Sequence, residues 1–139
     1  MSERDDVRAI LRTCRTVAVV GLSPRPERDS HRVARYMQAQ GWHIVPVNPM
    51  AAGQIILGEP VYPSLTEAAR RERIELVDCF RNSADIPPIV DEAIAIGATA
   101  LWLQLGVQHD AAAARARAAG LRVVQNRCLM VDHANDAQP

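Results

Sequence analysis

The residues best suited to hold an anion follow the first long apolar segment of the chain. After residues 16–20 the sequence continues Gly21-Leu22-Ser23-Pro24-Arg25. A glycine permits a tight turn, while backbone N–H groups and the Ser23 hydroxyl can donate hydrogen bonds to phosphate oxygens. The Arg25 guanidinium adds charge-assisted hydrogen bonds. This segment therefore predicts a phosphate-binding turn in which Arg25 is the nearest cation.

The same turn departs from the dinucleotide fingerprint G-x-G-x-x-G. Only Gly21 matches, because Ser23 and Pro26 stand at the second and third glycine positions. The fingerprint also needs an acidic residue after the second strand to accept hydrogen bonds from the ribose hydroxyls of NAD. Here the chain has Asn48 and Pro49 instead. The pattern favours a nucleotide and argues against NAD.

Further polar candidates follow two later apolar segments. Phe80 and Arg81 follow the third segment and Gln104 follows the fourth. Arg81 either reaches into a crevice or forms a surface ion pair with Asp85, and the sequence leaves both open. Three downstream arginines share one helical face, which favours a solvated surface: Arg28, Arg32 and Arg35.

Composition excludes several kinds of chemistry. All 16 basic residues are arginines, so a Schiff-base lysine and a Walker-type phosphate lysine are excluded. Three scattered cysteines without a C-x-x-C motif predict reduced thiols. The histidines show no ligand spacing, and we expect no metal site. Cys128 beside Arg127 is either a reactive thiol or a small buried side chain. We assign no catalytic residue.

Charge and hydropathy predict a cytoplasmic protein. The formal net charge is +0, which gives no overall attraction to nucleic acid or an anionic membrane. No apolar run approaches the roughly 20 residues of a membrane span. The charged first residues lack the apolar core of a signal peptide.

Alternating strands and helices must position these residues. Five apolar segments predict strands at residues 16–21, 43–47, 75–80, 99–104 and 121–125, separated by helical segments that mostly end at glycines. This pattern predicts an α/β fold, a Rossmann-like doubly wound parallel five-stranded sheet of order 3-2-1-4-5. We expect a single domain of residues 1–139 with a core at about 16–133. The crevice would lie between the first and fourth strands, where Gly21 and Gln104 would face each other.

The combined segments resemble a known family. They are residues 17–23, 30–36, 46–49, 56–62, 77–81, 100–106 and 126–128, which together extend over nearly the whole chain. In these segments the chain is similar to small bacterial and archaeal CoA-binding proteins. Those proteins are single Rossmann domains that resemble the CoA-binding domain of the succinyl-CoA synthetase α subunit.

The resemblance implies a small-molecule partner, coenzyme A or an acyl-CoA, bound through its 3′-phosphorylated ADP portion. It places the phosphates at Gly21, Leu22, Ser23 and Arg25, and the adenosine at Asn48 and Pro49. Phe80, Arg81 and Gln104 would line the remaining crevice. The synthetase has a lysine after its second strand, where this chain has Asn48. Its phosphorylated histidine lies in a second domain that this chain lacks, so the resemblance implies a non-catalytic binding module.

Two alternatives remain at this point. One is an NAD(P)-dependent enzyme or redox sensor, for which the sequence supplies no clear ribose acceptor or proton donor. The other is a redox module in which Cys128 pairs with the thiol of CoA. The second alternative requires Cys128 to lie at the crevice.

Overall fold

Helices and strands alternate through residues 2–136, the part of the chain that the computed structural model describes. In chain order the elements are α1 (Glu3–Thr13), β1 (Thr16–Val20), α2 (Asp29–Ala39), β2 (His43–Val47), a 3₁₀ turn (Pro49–Ala51), β3 (Ile55–Ile56), β4 (Glu59–Pro60), α3 (Leu65–Ala69), β5 (Leu76–Cys79), a 3₁₀ turn (Ser83–Asp85), α4 (Ile86–Ala95), β6 (Ala100–Leu103), α5 (Asp110–Ala118), β7 (Arg122–Val124) and α6 (Leu129–Asp136). In the described residues no helix combines the length and apolarity needed to cross a bilayer.

The five long strands form one parallel sheet in the order β2-β1-β5-β6-β7. This confirms the α/β class and the Rossmann-like parallel sheet. Counting only these five strands, the order is 2-1-3-4-5, which corrects the predicted 3-2-1-4-5. The third strand, β5, pairs with β1 and not with β2.

Tyr62 occupies the place beside β2 that the predicted order gave to the third strand. Its N–H donates to the Pro46 carbonyl at 3.0 Å, and its carbonyl accepts from the Asn48 N–H at 2.9 Å. The chain then passes through α3 to the other side of β1. All four residues of β5 are buried, as a central strand covered on both faces requires.

The sheet divides the apolar core into two layers. Val17 and Val19 of β1 face the layer that is closed by α1, α2 and α6, whereas Ala18 and Val20 face the layer closed by α3, α4 and α5. Successive side chains of a strand point to opposite faces, so one apolar run serves both layers. Trp102 in β6 is fully buried in the first layer.

The strand order also moves the expected crevice. In parallel sheets ligands bind beyond the carboxyl ends of the strands, where the order reverses. Here that point lies between β1 and β5, and not between the first and fourth strands. Gly21 and Gln104 do not face each other, because β5 lies between the strands that they follow.

Candidate functional site

Gly21 brings the turn after β1 against the end of β5. Its φ is +90°, and a Cβ built on it would lie 2.4 Å from the carbonyl oxygen of Phe80. Its N–H donates to the Val47 carbonyl at 2.8 Å. No side chain other than hydrogen fits this position, so the backbone of the turn borders the crevice directly.

Three neighbouring side chains fix the conformation of this turn. The Ser23 N–H donates to Ser30 Oγ at 3.0 Å, and His31 Nδ1 donates to the Ser23 carbonyl at 2.9 Å. Asn48 Nδ2 donates to the Leu22 carbonyl at 3.0 Å. Ser30 and His31 are themselves buried in the first turn of α2. The turn is therefore held by the helix that follows it and by the end of β2.

The amino terminus of α2 lies beside the turn. Its N-cap residue, Arg28, makes no side-chain capping bond, so the N–H groups of the first helical turn are open to an anion. These N–H groups and the helix dipole favour negative charge. A cavity of about 470 Å³, here called the loop cavity, is lined by Gly21, Ser23, Arg28, Ser30 and Phe80, together with Glu27 and Asp29.

A second cavity, the main cavity, also borders Phe80 and has a volume of about 580 Å³. The ends of β5 and β6 supply Phe80, Arg81 and Gln104. Its walls include Arg32 and Val33 from α2, and Cys128, Met130 and Val131 from the last turn and helix. Phe80 and Asp29 line both cavities. The two cavities therefore adjoin at Phe80 and Asp29 along the carboxyl edge of the sheet, and together they are called the crevice.

The crevice brings together five of the nine residues predicted to bind the ligand, namely Gly21, Ser23, Phe80, Arg81 and Gln104. The other four line neither cavity. The Leu22 side chain is fully buried in the core, whereas Arg25 and Pro49 are exposed. Both polar atoms of the Asn48 side chain bond to the backbone. Nδ2 donates to the Leu22 carbonyl, and Oδ1 accepts from the Met50 N–H at 3.0 Å.

The arginines of the crevice divide into paired and unpaired groups. Arg81 combines the two roles left open by the sequence, since it lines the main cavity and its Nη2 lies 3.4 Å from Asp85 Oδ2. Arg32 also lines the main cavity and forms an ion pair with Asp29. Arg28 has no acidic partner within residues 2–136. Arg28 and Arg32, assigned by spacing to a solvated face, therefore border the crevice.

Sequence reasoning missed Asp78, an acidic residue beneath the main cavity. It is fully buried in β5, and its Oδ1 accepts a hydrogen bond from Gln104 Nε2 at 2.8 Å. Burial raises the pKa of Asp78 to about 7, against the lowering effect of that bond. An aspartate within the apolar run of residues 76–79 was the signal that could have identified it.

The three cysteines occupy different environments. Cys14 and Cys79 are buried, and burial raises the pKa of both thiols. Cys128 is half-buried and lines the main cavity. Between Ser2 and Asp136, no three histidine, cysteine or acidic side chains form a group that could hold a metal ion.

Residues 15–134 match the sequence model of one protein family, the CoA binding domain. The matched range includes the crevice, its glycine turn and the strands of the sheet. The chain belongs to the CoA-binding domain family. A relative in Bacillus subtilis (strain 168), the uncharacterized protein YneT, is 35% identical over 129 residues, which is 93% of each chain.

Two solved structures share the fold of this chain. A Thermus thermophilus protein, cell-free ID.343, is 34% identical with a TM-score of 0.89, covering 97% of this chain and 98% of that one. The protein Prb, redesigned for binding from PH1109, is 37% identical with a TM-score of 0.89, covering 97% and 92%. These likenesses confirm the α/β fold along nearly the whole chain.

Proposed function

We propose that this CoA-binding domain holds coenzyme A or an acyl-CoA in the crevice, as a non-catalytic module of the cytoplasm. The observation that carries the proposal is the pair of cavities that meet at Phe80. One cavity is suited to phosphate, and the other combines apolar walls with a few polar groups. CoA is a long ligand with a phosphorylated nucleotide at one end and an amide-containing arm at the other, so it matches a two-part crevice.

The loop cavity fits the phosphate end of the ligand. Gly21 leaves its backbone open, and a Cβ there would meet Phe80 at 2.4 Å. The first-turn N–H groups of α2 and the Arg28 guanidinium would contact phosphate oxygens. Arg25 follows the turn and would approach from solvent. Asp29 and Glu27 limit the positive potential, so only the uncapped N–H groups and these two arginines favour an anion.

The main cavity fits the remainder of the ligand. Val33, Val107 and Met130 provide apolar contact, while Arg81 and Gln104 provide polar contact. A pocket that is largely apolar with few polar groups is typical of a site for a small organic ligand. The ring of Phe80 lies at the junction, where it would contact the middle of the ligand.

The environment of Asn48 supports CoA over NAD. Both polar atoms of its side chain already bond the backbone, Nδ2 to Leu22 and Oδ1 to Met50. Asn48 therefore offers a neutral amide that is already bonded to the turn, where NAD-binding folds place a free carboxylate as the ribose acceptor. Its contribution to the site is to fasten the turn.

The ion pairs of the crevice support a binding role without turnover. Asp29 is paired with Arg32, and Asp85 with Arg81. Both carboxylates already accept hydrogen bonds from neighbouring guanidinium groups, which limits their availability as a general base. We expect no steady thiol release from acetyl-CoA or succinyl-CoA by the isolated chain, followed with a thiol reagent.

The test of the proposal is calorimetric titration of the purified protein with CoA and with NAD in one buffer. CoA should bind at least about tenfold more tightly, a difference of 1.4 kcal/mol. Native mass spectrometry of the protein as purified should show a co-purified ligand with the mass of CoA or an acyl-CoA. Equal affinities, or tighter binding of NAD, would contradict the proposal.

A second function is favoured by the position of Cys128 in the wall of the main cavity. Its thiolate could attack one sulfur of CoA disulfide, forming a protein–CoA mixed disulfide and releasing one CoA thiolate. Incubation with CoA disulfide, followed by intact-mass measurement, tests this reaction. A mass increase of one CoA that is absent in Cys128→Ser supports it, and an unchanged mass excludes it.

A further inference from the structure

Asp78 is a buried acid that lines neither the loop cavity nor the main cavity. It lies in the central strand β5, in register with Val19 of β1 and Trp102 of β6. Its Oδ1 accepts from Gln104, whereas its Oδ2 has no hydrogen-bond partner in the described residues although it is buried. A buried carboxyl with an unpaired oxygen is costly. Such a group points to a role beyond packing.

Gln104 connects this acid to the main cavity. It is 4% exposed, follows β6 and lines the cavity. A glutamine amide has an NH₂ donor side and a carbonyl acceptor side. Because Nε2 is turned toward Asp78, the Oε1 acceptor is turned away from it. The bond at 2.8 Å therefore leaves Oε1 as the acceptor that Gln104 can offer to a ligand in the main cavity.

We propose that Asp78 is a positioning residue for Gln104, and that the pair makes the main cavity selective for a ligand group that donates a hydrogen bond. An amide N–H or a thiol is such a group. This inference rests on the proposed function, since the pantetheine arm of CoA carries both. The interaction would distinguish a ligand with the arm from the nucleotide portion alone.

Protonation of Asp78 would reverse this selectivity. As a carboxylate Asp78 only accepts hydrogen bonds, and it holds the donor side of Gln104. As a carboxylic acid it also has an O–H, which finds an acceptor if the Gln104 amide turns over and presents Oε1 to it. The main cavity would then meet the ligand with an N–H donor. Burial raises the pKa of Asp78 to about 7, so both forms are populated near neutral pH.

Other titratable groups around the main cavity could also change ligand affinity with pH, so the experiment needs controls for them. The strand neighbours Val19 and Trp102 do not titrate, and Cys79 follows Asp78 on the opposite face of the sheet. The charged or titratable groups of the cavity wall are Asp29 and Arg32 on α2, Arg81 and Asp85 after β5, and Cys128 before α6. The phosphates of the ligand also titrate. The comparison must therefore use a second ligand with the same kind of phosphates.

The experiment is calorimetry at pH 6 and pH 8 with two ligands, CoA and the methyl ester of 3′-phosphoadenosine 5′-diphosphate, which keeps the phosphates of CoA and lacks the arm. In the unchanged protein, the preference for CoA over the methyl ester should be several-fold larger at pH 8. Gln104→Leu should reduce that preference by about tenfold, the effect of one lost hydrogen bond, without weakening binding of the methyl ester. Asp78→Asn keeps the side-chain shape and should make the preference independent of pH.

An exposed pair of the same kind supplies the control. Gln108 Nε2 donates to Asp110 Oδ1 at 3.0 Å outside the crevice, and Gln108→Leu should leave both affinities and the pH profile unchanged. If Asp78→Asn does not fold, the pH profile of the unchanged protein and Gln104→Leu decide the matter. The inference is overturned if the preference does not vary with pH, or if Gln104→Leu lowers the affinity for both ligands equally. Either result leaves the proposed function standing. Failure of the unchanged protein to bind CoA overturns the proposed function and this inference with it.

Discussion

At the scale of single residues, the site depends on positions whose side chains do little by themselves. Gly21 contributes the absence of a side chain, and Asn48 and His31 contribute hydrogen bonds to the backbone of the turn. The contacts that we propose for a ligand are therefore backbone N–H groups and a small number of guanidinium and amide groups. Substitutions in the turn should act first on its shape and then on affinity.

Gly21→Ala should lower the free energy of unfolding by several kcal/mol. The new Cβ would meet the Phe80 carbonyl at 2.4 Å in addition to the cost of a positive φ, which alone is about 1–2 kcal/mol. Gly53→Ala is the matched control, because Gly53 has φ +85° with open space around it. Urea unfolding of both variants measures the difference. Equal destabilisation would show that a Cβ at position 21 does not meet the Phe80 carbonyl.

Arg25→Ala and Arg28→Ala should each weaken CoA binding by about tenfold, because a charge-assisted hydrogen bond contributes roughly 1.5–3 kcal/mol. Stability should change little, because both side chains are exposed. Arg115→Ala is the control, since Arg115 pairs with Asp91 between α4 and α5, away from the crevice. Calorimetry measures the three affinities. An equal loss of CoA affinity in all three variants would show that only the overall positive charge matters.

At the scale of elements, α6 closes one wall of the main cavity and is fastened by a partly buried ion pair of Asp132, in addition to the more exposed pair of Asp136 with Arg12. Arg127 donates from Nε and Nη2 to the two oxygens of Asp132, at 2.7 and 2.8 Å. The Asp132 side chain is 9% exposed and that of Arg127 is 45% exposed. The Arg127 carbonyl also accepts from Trp102 Nε1 at 2.9 Å. This pair therefore couples the position of the helix to the sheet.

Asp132→Ala should cost about 1–3 kcal/mol of stability, because it removes two hydrogen bonds to a charged group of which one partner is buried. It should also weaken CoA binding, since Cys128, Met130 and Val131 would lose their fixed position. Asp91→Ala removes a pair whose carboxylate is 68% exposed and should cost at most about 1 kcal/mol with unchanged affinity. Denaturant unfolding and calorimetry on both variants test this expectation, and similar results for the two would refute it.

The elements also show what the sequence could predict. The five strands and most helices followed from apolar periodicity and from glycine stops, because those signals are local. The strand order did not follow, because the pairing of β5 with β1 and the contact of Tyr62 with the edge of β2 are long-range and leave no periodic signal. The bond between Asp78 and Gln104 joins residues 26 positions apart through the register of β5 and β6. Candidate residues after each strand were predictable, but their partners were not.

At the scale of the whole molecule, the stability of the fold should depend on the charge state of Asp78. Its pKa is about 7 in the folded chain and near its ordinary value of 3.8 when unfolded. Between these values the folded state binds the extra proton. The contribution of Asp78 to stability is thus complete below pH 4 and is lost as pH rises through 7.

The free energy of unfolding should therefore fall between pH 4 and pH 7 by a few kcal/mol more in the unchanged protein than in Asp78→Asn, since each unit of pKa difference corresponds to about 1.4 kcal/mol. Above pH 8 the asparagine variant should be the more stable of the two. Urea unfolding at pH 5 and pH 8 measures this, with Asp91→Asn as an exposed control that keeps the original pH dependence. Parallel profiles for Asp78→Asn and the unchanged protein would contradict the assignment.

The way Tyr62 lies along β2 has a consequence for solubility at high concentration. An open edge of a sheet offers rows of donors and acceptors to any extended chain, and this is a common route to aggregation. At the carboxyl half of β2, Pro46 has no N–H, while Tyr62 already occupies the Pro46 carbonyl and the Asn48 N–H. A strand from another molecule would find no hydrogen bonds to make there. The segment around Tyr62 therefore protects this end of the sheet from fibril formation.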